Sequence, residues 1–226
     1  SRFQKSPVTR SELPPINFIV ISHDHYDHLE LATARYFANK NTVFIVPLGI
    51  SSHLRHWGVK EENIVELDWW DTVTRSGIEF IATPARHSSG RTDRRDNDTL
   101  WSSWVIRSQS HSLYYSGDSG YGSHFREIGE KYGPFDVVFL ESGQYNPNWS
   151  SHLIPDHWPV VMRELKGKMW LPVHWGIFSF APHKWDDPII AAYSQAQKHN
   201  IHLLTPRIGE IVDLNNPQEF EKWWQE

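Results

Sequence analysis

The chain has 226 residues, with 27 acidic and 22 basic side chains and a formal net charge of −5. That length can bury a sizeable hydrophobic core, and the negative charge disfavours nucleic acid as the main partner. Cysteine is absent, which excludes disulfides and thiolate metal sites, so any metal must be held by nitrogen and oxygen ligands. No apolar run approaches the length of a membrane-spanning helix.

Short apolar runs and helical patterns alternate along most of the chain, which indicates an α/β protein with mixed sheets. In chain order the predicted elements are a strand at 17–21, a helix at 31–39, a strand at 42–46, a helix at 48–57, strands at 64–67, 78–83, 101–106 and 113–115, a helix at 125–132, a strand at 136–140, a helix at 155–165, a strand at 169–173, a helix at 188–199 and a pair of short strands at 202–214. No linker divides the chain, so we expect residues 1–226 to form a single domain.

The strand predicted at 17–21 runs directly into the most informative segment of the chain, Ser22-His23-Asp24-His25-Tyr26-Asp27-His28. This segment has the pattern H-x-H-x-D-H, and imidazole and carboxylate are the usual protein ligands of zinc and similar divalent ions. Clustered imidazoles repel one another when protonated and are costly to desolvate when unpaired, and a bound cation removes both problems. The alternative is a solvated polar turn, which needs no such spacing.

Further residues of ligand type follow other predicted strands. His87 comes after the strand at 78–83, Asp118 after the strand at 113–115, and His174 directly after the strand at 169–173. Layered α/β folds build their sites at such strand ends. A single histidine there is more often a solvent-facing residue, but three such positions together with the H-x-H-x-D-H segment indicate one shared metal site.

The loop at 88–99 and its approach are rich in arginine, with Arg86, Arg91, Arg94 and Arg95 close in sequence to His87. Guanidinium groups match the geometry of phosphate, so the loop is a candidate for phosphate recognition. The alternative is a solvated loop in which these arginines pair with Asp93, Asp96 and Asp98.

The order of these residues resembles the metallo-β-lactamase superfamily. Within it, the chain more closely resembles N-acyl phosphatidylethanolamine-hydrolysing phospholipase D and its bacterial relatives. Besides the H-x-H-x-D-H segment, the resembling pieces are Ser11-Glu12-Leu13-Pro14-Pro15, Pro84-Ala85-Arg86-His87, Leu100-Trp101-Ser102-Ser103-Trp104, Ser116-Gly117-Asp118-Ser119-Gly120-Tyr121, Gly133-Pro134-Phe135-Asp136, Tyr145-Asn146-Pro147-Asn148-Trp149 and His174-Trp175-Gly176.

The resemblance implies a four-layer αβ/βα sandwich with mixed sheets. In that family, the first strands precede the H-x-H-x-D-H motif. Only 22 residues precede His23 here, so we expect part of the first sheet to be missing and the domain to be incomplete at its N-terminus.

The resemblance also implies a site with two divalent metal ions, zinc by default, with iron and manganese compatible with the same ligands. One ion would be held by His23, His25 and His87, the second by Asp27, His28 and His174, with Asp118 bridging the two. His152 would contact the substrate or transition state, with His157 as the competing candidate. Arg91, Arg94 and Trp149 are candidate substrate contacts.

The implied activity is hydrolysis by a hydroxide shared between the two ions. By resemblance the enzyme is a phosphodiesterase of the phospholipase D type, acting on substrates like N-acyl phosphatidylethanolamine. We expect a cytoplasmic protein, with peripheral contact to a membrane as an alternative. A phospholipid substrate predicts an apolar groove near the metals, lined by some of the tryptophans Trp57, Trp69, Trp70, Trp101, Trp149 and Trp175. The competing interpretations are a soluble hydrolase of a small ester, lactone or phosphorylated metabolite, and a non-enzymatic metal-binding relative.

Overall fold

The computed structural model describes residues 4–91, 97–216 and 218–225, and the chain divides into two compact units. The N-terminal unit is Arg10–Ser119, and the C-terminal unit is Gly120–Glu226 together with Ser1–Thr9. Each unit contains both helices and strands, and the strands pair in both parallel and antiparallel fashion. The predicted α/β class with mixed pairing is confirmed, whereas a single domain over 1–226 stays a prediction.

The N-terminal unit contains two sheets. Its parallel sheet pairs β1 with β2 and β2 with β3, and its antiparallel sheet pairs β4, β5, β6 and β7 in sequence order. The elements are β1 (Phe18–Val20), α1 (Leu31–Ala38), β2 (Val43–Pro47), α2 (Ile50–His56), β3 (Ile64–Leu67), β4 (Thr72–Arg75), β5 (Ile78–Thr83), β6 (Ser103–Arg107) and β7 (Ser112–Tyr115).

Alternation along β2 explains how this unit packs, because successive strand residues point to opposite faces of a sheet. Phe44 and Val46 pack in one buried cluster with residues of α1 and α2. Ile45, between them, packs in a second cluster with Phe80 and Trp104 of the antiparallel sheet. The parallel sheet is therefore buried on both faces, which accounts for its continuous apolar sequence.

The strand ends that carry the predicted metal ligands meet near the start of β6. Strands β5 and β7 both run antiparallel to β6, so they run parallel to each other and end at the same edge. At that edge Thr83 pairs with Ser103, and Tyr115 pairs with Trp104. The indole Nε1 of Trp104 donates to the carbonyl of Ile21, 2.9 Å away, which brings the end of β1 to the same place.

The C-terminal unit is built on three parallel strands, with β9 paired to β8 and to β10. The fully buried indoles of Trp158 on α4 and Trp170 on β9 lie 5.6 Å apart, which packs this helix on the sheet. The elements are α3 (His124–Tyr132), β8 (Phe135–Glu141), α4 (Trp158–Glu164), β9 (Gly167–Val173), α5 (Asp187–His199) and β10 (His202–Leu203).

Two details differ from the sequence prediction. Strand β4 was not predicted, because it is only four residues long and mostly exposed. It forms a hairpin with β5 through Ser76 and Gly77, whose φ angles are +49° and +76°. The strand pair predicted at 202–214 is reduced to β10 in the described residues. Pro206 has no backbone donor and Gly209 has φ +88°, so neither suits a continued strand.

Candidate metal centre

The loop after β1 presents His23 in a fixed orientation. His23 is only 1% exposed, and its Nδ1 lies 2.9 Å from the hydroxyl of Ser22. That contact occupies Nδ1 and leaves Nε2 to face the other imidazoles. Gly117, at φ +55°, allows this packing, because a Cβ there would lie 2.6 Å from the Cβ of Ser22.

Three of the predicted ligand side chains, those of His23, His25 and His87, lie close together. The Nε2 of His23 lies 3.0 Å from the Nδ1 of His25, and the Nε2 of His87 lies 3.3 Å from the same atom. The candidate ligand atoms of these three residues all lie within 4.8 Å of one another. The convergence joins the end of β1 to the end of β5, which are more than sixty residues apart in the chain.

Asp118 lies beside both sets of predicted ligands in this unit. Its Oδ2 is 3.1 Å from the Nε2 of His28, which is itself 3.3 Å from the Oδ2 of Asp27. The same Asp118 oxygen is 3.8 Å from the Nε2 of His23 and 3.7 Å from the Nε2 of His87. One oxygen of Asp118 therefore lies within 4 Å of donor nitrogens from both sets.

The spacing of these donor atoms fits a divalent cation. Two atoms each bound at 2.0–2.1 Å to a tetrahedral ion lie about 3.3 Å apart. The separations around His25 are 3.0 and 3.3 Å, and those around His28 are 3.1 and 3.3 Å. Buried imidazole nitrogens and carboxylate oxygens at these distances are a suitable donor set for zinc, iron or manganese.

Burial favours the neutral form of two of these imidazoles, His23 and His25. Burial, reinforced by the positive charge of His28, holds the pKa of His23 well below its ordinary value. Burial also lowers the pKa of His25, although Asp118 opposes it. For His28 burial acts in the same direction, but the charge and hydrogen bond of Asp118 outweigh it and hold its pKa well above the ordinary value.

Asp24, between His23 and His25, anchors the loop that carries these two residues. One of its carboxylate oxygens accepts the backbone N–H of Gly90 at 2.7 Å, and the other lies 3.4 Å from the Nε2 of His53. Burial alone would raise the pKa of Asp24, but these hydrogen bonds outweigh it and keep the pKa low. His53, on α2, was not singled out in the sequence, because nothing in the linear pattern links it to Asp24.

Arg91, a predicted substrate contact, braces the same loop from outside. It donates to the carbonyls of Asp24 at 2.6 Å and Leu29 at 2.8 Å. Its guanidinium lies 4.3 Å from the ring centre of Tyr26 and 5.1 Å from that of Trp57. Contact with substrate stays a prediction for Arg91, and Arg94 lies outside the described residues.

In the C-terminal unit, a buried carboxylate organises the remaining predicted residues. Glu141, 1% exposed at the end of β8, accepts the backbone N–H of Leu153 at 2.6 Å through Oε1. Its Oε2 lies 2.8 Å from the Nδ1 of His152 and 3.7 Å from the Nδ1 of His174. The two imidazole rings stack with their centres 5.8 Å apart. The sequence analysis missed Glu141, since a glutamate closing an apolar strand carries no distinctive spacing.

His174 has the backbone conformation of a constrained functional residue. It follows β9 at φ +69°, a left-handed conformation that is strained for a residue other than glycine and is common at active sites. Gly143 makes room for it, because a Cβ at that position would lie 1.4 Å from the carbonyl oxygen of His174. The role of His174 as a metal ligand stays a prediction.

The other predicted residues of this unit are placed as follows. Trp149 is partly exposed, with its ring centre 6.0 Å from that of His152. His157 lies just before α4, where its ring stacks on Tyr121 at 5.1 Å. Trp175, one of the tryptophans expected near the metals, lines a cavity of about 480 Å³ beside His174.

Comparison with known proteins assigns the chain to a family. The model of the β-lactamase superfamily domain matches residues 1–175. The chain belongs to the β-lactamase superfamily. The resemblance to the metallo-β-lactamase superfamily carried by its sequence motifs is therefore confirmed.

Individual relatives agree with this superfamily. An uncharacterised protein of Mycobacterium tuberculosis is 38% identical over 99% of this chain and 61% of the relative. An N-acyl-phosphatidylethanolamine-hydrolyzing phospholipase D of Caenorhabditis elegans is 32% identical over 78% of this chain and 53% of the relative. The chain thus spans between about half and three-fifths of the length of these relatives.

A solved structure supports the fold. The metallo hydrolase Igni18 of the archaeon Ignicoccus hospitalis superposes with a TM-score of 0.70 at 21% identity, over 92% of this chain and 81% of that protein. At that identity the likeness establishes the fold alone, and it confirms the predicted metallo-β-lactamase type.

Among the described helices, none is both long and apolar enough to cross a membrane.

Proposed function

We propose that the chain is the metal-binding core of a hydrolase that cleaves phosphodiesters, of the phospholipase D type, with substrates like N-acyl phosphatidylethanolamine. The observation that carries the proposal is the convergence of His23, His25 and His87, with Asp118 placed between them and His28. A structural metal needs only four ligands and no bridging carboxylate, so this arrangement suits catalysis better than support of the fold.

We further propose that the site takes two ions, zinc by default, with Asp27, His28 and the C-terminal unit's His174 as ligands of the second. Divalent ions, when bound, would lower the pKa of their bound water to about 7 and stabilise the negative charge that develops on phosphoryl oxygens. The chain's own part is to hold the donor atoms in place. Ser22 orients His23, and Asp24 fixes the loop that carries His23 and His25.

His152 is the proposed proton carrier. Its Nδ1 is occupied by Glu141, which fixes the ring and leaves Nε2 to exchange a proton with the substrate. A general acid or base of this kind contributes about 10²–10⁴-fold to a rate. The proposal needs no serine or cysteine nucleophile, in keeping with a chain that contains no cysteine.

The substrate class rests on two supports. The sequence motifs of the chain resemble the phospholipase D branch, and the C. elegans relative carries the name of that activity. The alternative is that the chain is a metal-dependent hydrolase of small esters or lactones, and the test below distinguishes the two.

The test is metal analysis of the purified protein combined with hydrolysis of methyl 4-nitrophenyl phosphate, N-acyl phosphatidylethanolamine and a simple lactone. We expect about two ions per chain and loss of phosphodiester hydrolysis on chelation. Asp118→Ala should lose metal, and its turnover should fall by more than the roughly 100-fold that removal of an outer-sphere partner costs. His56→Ala, an exposed histidine of the same unit, is the matched control and should keep both.

Two results would overturn the proposal. Equal turnover by Asp118→Ala and wild type would reject the metal site as the catalytic centre. Hydrolysis of the lactone without hydrolysis of either phosphodiester would leave a metallo-hydrolase but reject the phospholipase D assignment.

A further inference from the structure

A loop that begins three residues after His174 presents an aromatic side chain to solvent. We call residues 177–181 the aromatic loop. Within it, the rings of Phe178 and Phe180 stack with centres 5.2 Å apart and planes 13° from parallel. Phe180 is 55% exposed. Burial of an aromatic side chain is strongly favourable, so a stacked pair that reaches solvent is a candidate apolar contact surface.

The aromatic loop is held rigidly by one buried amide. Gln144, 6% exposed, accepts the backbone N–H groups of Phe180 at 2.8 Å and Ala181 at 2.9 Å through Oε1. Its Nε2 donates to the carbonyl of Phe178 at 3.0 Å. These bonds use both ends of the side-chain amide, so the loop cannot change shape without leaving buried polar groups unpaired.

The support for the loop is continuous with the candidate active site. Gln144 lies three residues after Glu141, and the loop begins three residues after His174. The two connections are packed together, since the amide of Ser142 donates to the carbonyl of Val173 at 2.9 Å and Gly143 lies against the carbonyl of His174. The aromatic loop and its support Gln144 therefore continue from the same pair of packed connections that carry His174 and Glu141.

We infer that the aromatic loop is the contact surface for an apolar substituent of the substrate, of the alkyl-chain class, and that Gln144 is its positioning residue. The inference rests on the proposed function for the location of the reacting group. Rigid aromatic rings lose little conformational entropy on binding, which makes a pre-organised pair an effective apolar anchor. Gln144 itself touches no substrate and acts only through the loop.

The test measures binding, so that it does not depend on turnover. Methylphosphonate and octylphosphonate are titrated into the zinc-loaded protein by calorimetry, since both carry the same anionic head and differ only in the alkyl chain. Each methylene moved from water into apolar contact strengthens binding by about fourfold. With the chain only partly covered, we expect octylphosphonate to bind at least about tenfold tighter than methylphosphonate.

Two variants address the loop and one serves as the control. Phe180→Ala should remove most of the preference for the longer chain and leave methylphosphonate binding unchanged. Gln144→Met, of similar length but unable to hold the loop, should do the same, raising the KM for octyl 4-nitrophenyl phosphate while kcat on the methyl ester is kept. Ile190→Ala removes an apolar side chain that is 47% exposed on α5 and should keep the full preference.

The outcomes separate this inference from the proposed function. A wild type with no chain preference, or a preference that survives Phe180→Ala, overturns the inference even if phosphodiesters are hydrolysed. Loss of the preference in Trp223→Ala instead would place the chain in the neighbouring cavity, and would also overturn it. A protein that shows the preference and loses it in Phe180→Ala, yet hydrolyses no phosphodiester, contradicts the proposed function and not the loop. Should Gln144→Met fail to fold, the surface variant Phe180→Ala still decides.

Discussion

The ligand cluster of the N-terminal unit and the Glu141 cluster of the C-terminal unit hold their histidines in different ways. In the first, the ring nitrogens of His23, His25 and His87 point at one another at 3.0–3.3 Å. In the second, Glu141 takes the Nδ1 of His152 at 2.8 Å and a backbone N–H as well. Ring nitrogens that converge in this way can share a bound cation, whereas a carboxylate that takes one ring nitrogen of a histidine fixes the orientation of that ring.

This difference indicates a division of labour. We propose that the N-terminal cluster binds metal, and we expect substitutions there to remove the ion. The Glu141 cluster is arranged for orienting a ring, and substitutions at Glu141 or His152 should change the rate while the ion bound by His23, His25 and His87 remains.

The largest expected effect tests the metal side of this comparison. His87→Ala removes one of the converging imidazoles, so we expect metal content to fall in parallel with hydrolysis, by more than about 100-fold in rate. Metal content is measured by plasma mass spectrometry after dialysis, and rate by phosphodiester hydrolysis. A variant that retains wild-type metal content would show that His87 is not a ligand.

The next effect tests the orienting side. We expect His152→Gln to lower kcat by about 100-fold, the lower range for losing a general acid or base, and Glu141→Gln to lower it by about 10-fold through loss of ring orientation. Both should retain at least the metal bound by the N-terminal cluster, as measured by the same analysis. Complete loss of metal in His152→Gln would contradict the division of labour.

A smaller effect is expected where the ligand loop is braced. His53→Ala removes the partner of Asp24 and should weaken metal affinity by about 10-fold, as outer-sphere partners of metal ligands typically do. His53→Gln keeps a side-chain donor and should recover most of the loss in a competition titration with a chelator. Arg55→Ala, on the same helix but paired with an exposed Glu61, is the control and should have no effect. Equal metal affinities for His53→Ala and wild type would show that the contact of His53 with Asp24 does not support the metal site.

These predictions also mark what could be read from the sequence. His23, His25, His87 and Asp118 lie in segments that follow apolar strands, and this pattern together with the H-x-H-x-D-H spacing indicated one shared metal site. Glu141, His53 and Gln144 could not be found this way, because each acts on residues that only folding brings near. The interaction of His53 with Asp24 spans 29 positions, and those of Gln144 with the aromatic loop span 34 to 37. Strand β4 was missed for a related reason, since its pairing with β5 rather than its own sequence makes it a strand.

The smallest effect concerns His157, the competing candidate for the catalytic histidine. Burial lowers the pKa of His157, with Asp156 opposing it, so the folded state prefers the neutral ring. As pH falls, the unfolded chain takes up a proton first, at about 6.5, and stability is lost below that pH. Urea midpoints at pH 7.5 and 5.5 should therefore differ less for His157→Gln than for wild type, while kcat changes little. A loss of kcat as large as that of His152→Gln would exchange the roles of these two histidines.

Anomalous diffraction at the zinc edge, from crystals of the protein grown with zinc, tests the central claim most directly. The account predicts a strong peak about 2.0–2.1 Å from the ring nitrogens of His23, His25 and His87, and a second peak beside His28, with Asp118 between the two. An absence of density among these side chains at full zinc occupancy elsewhere would contradict it.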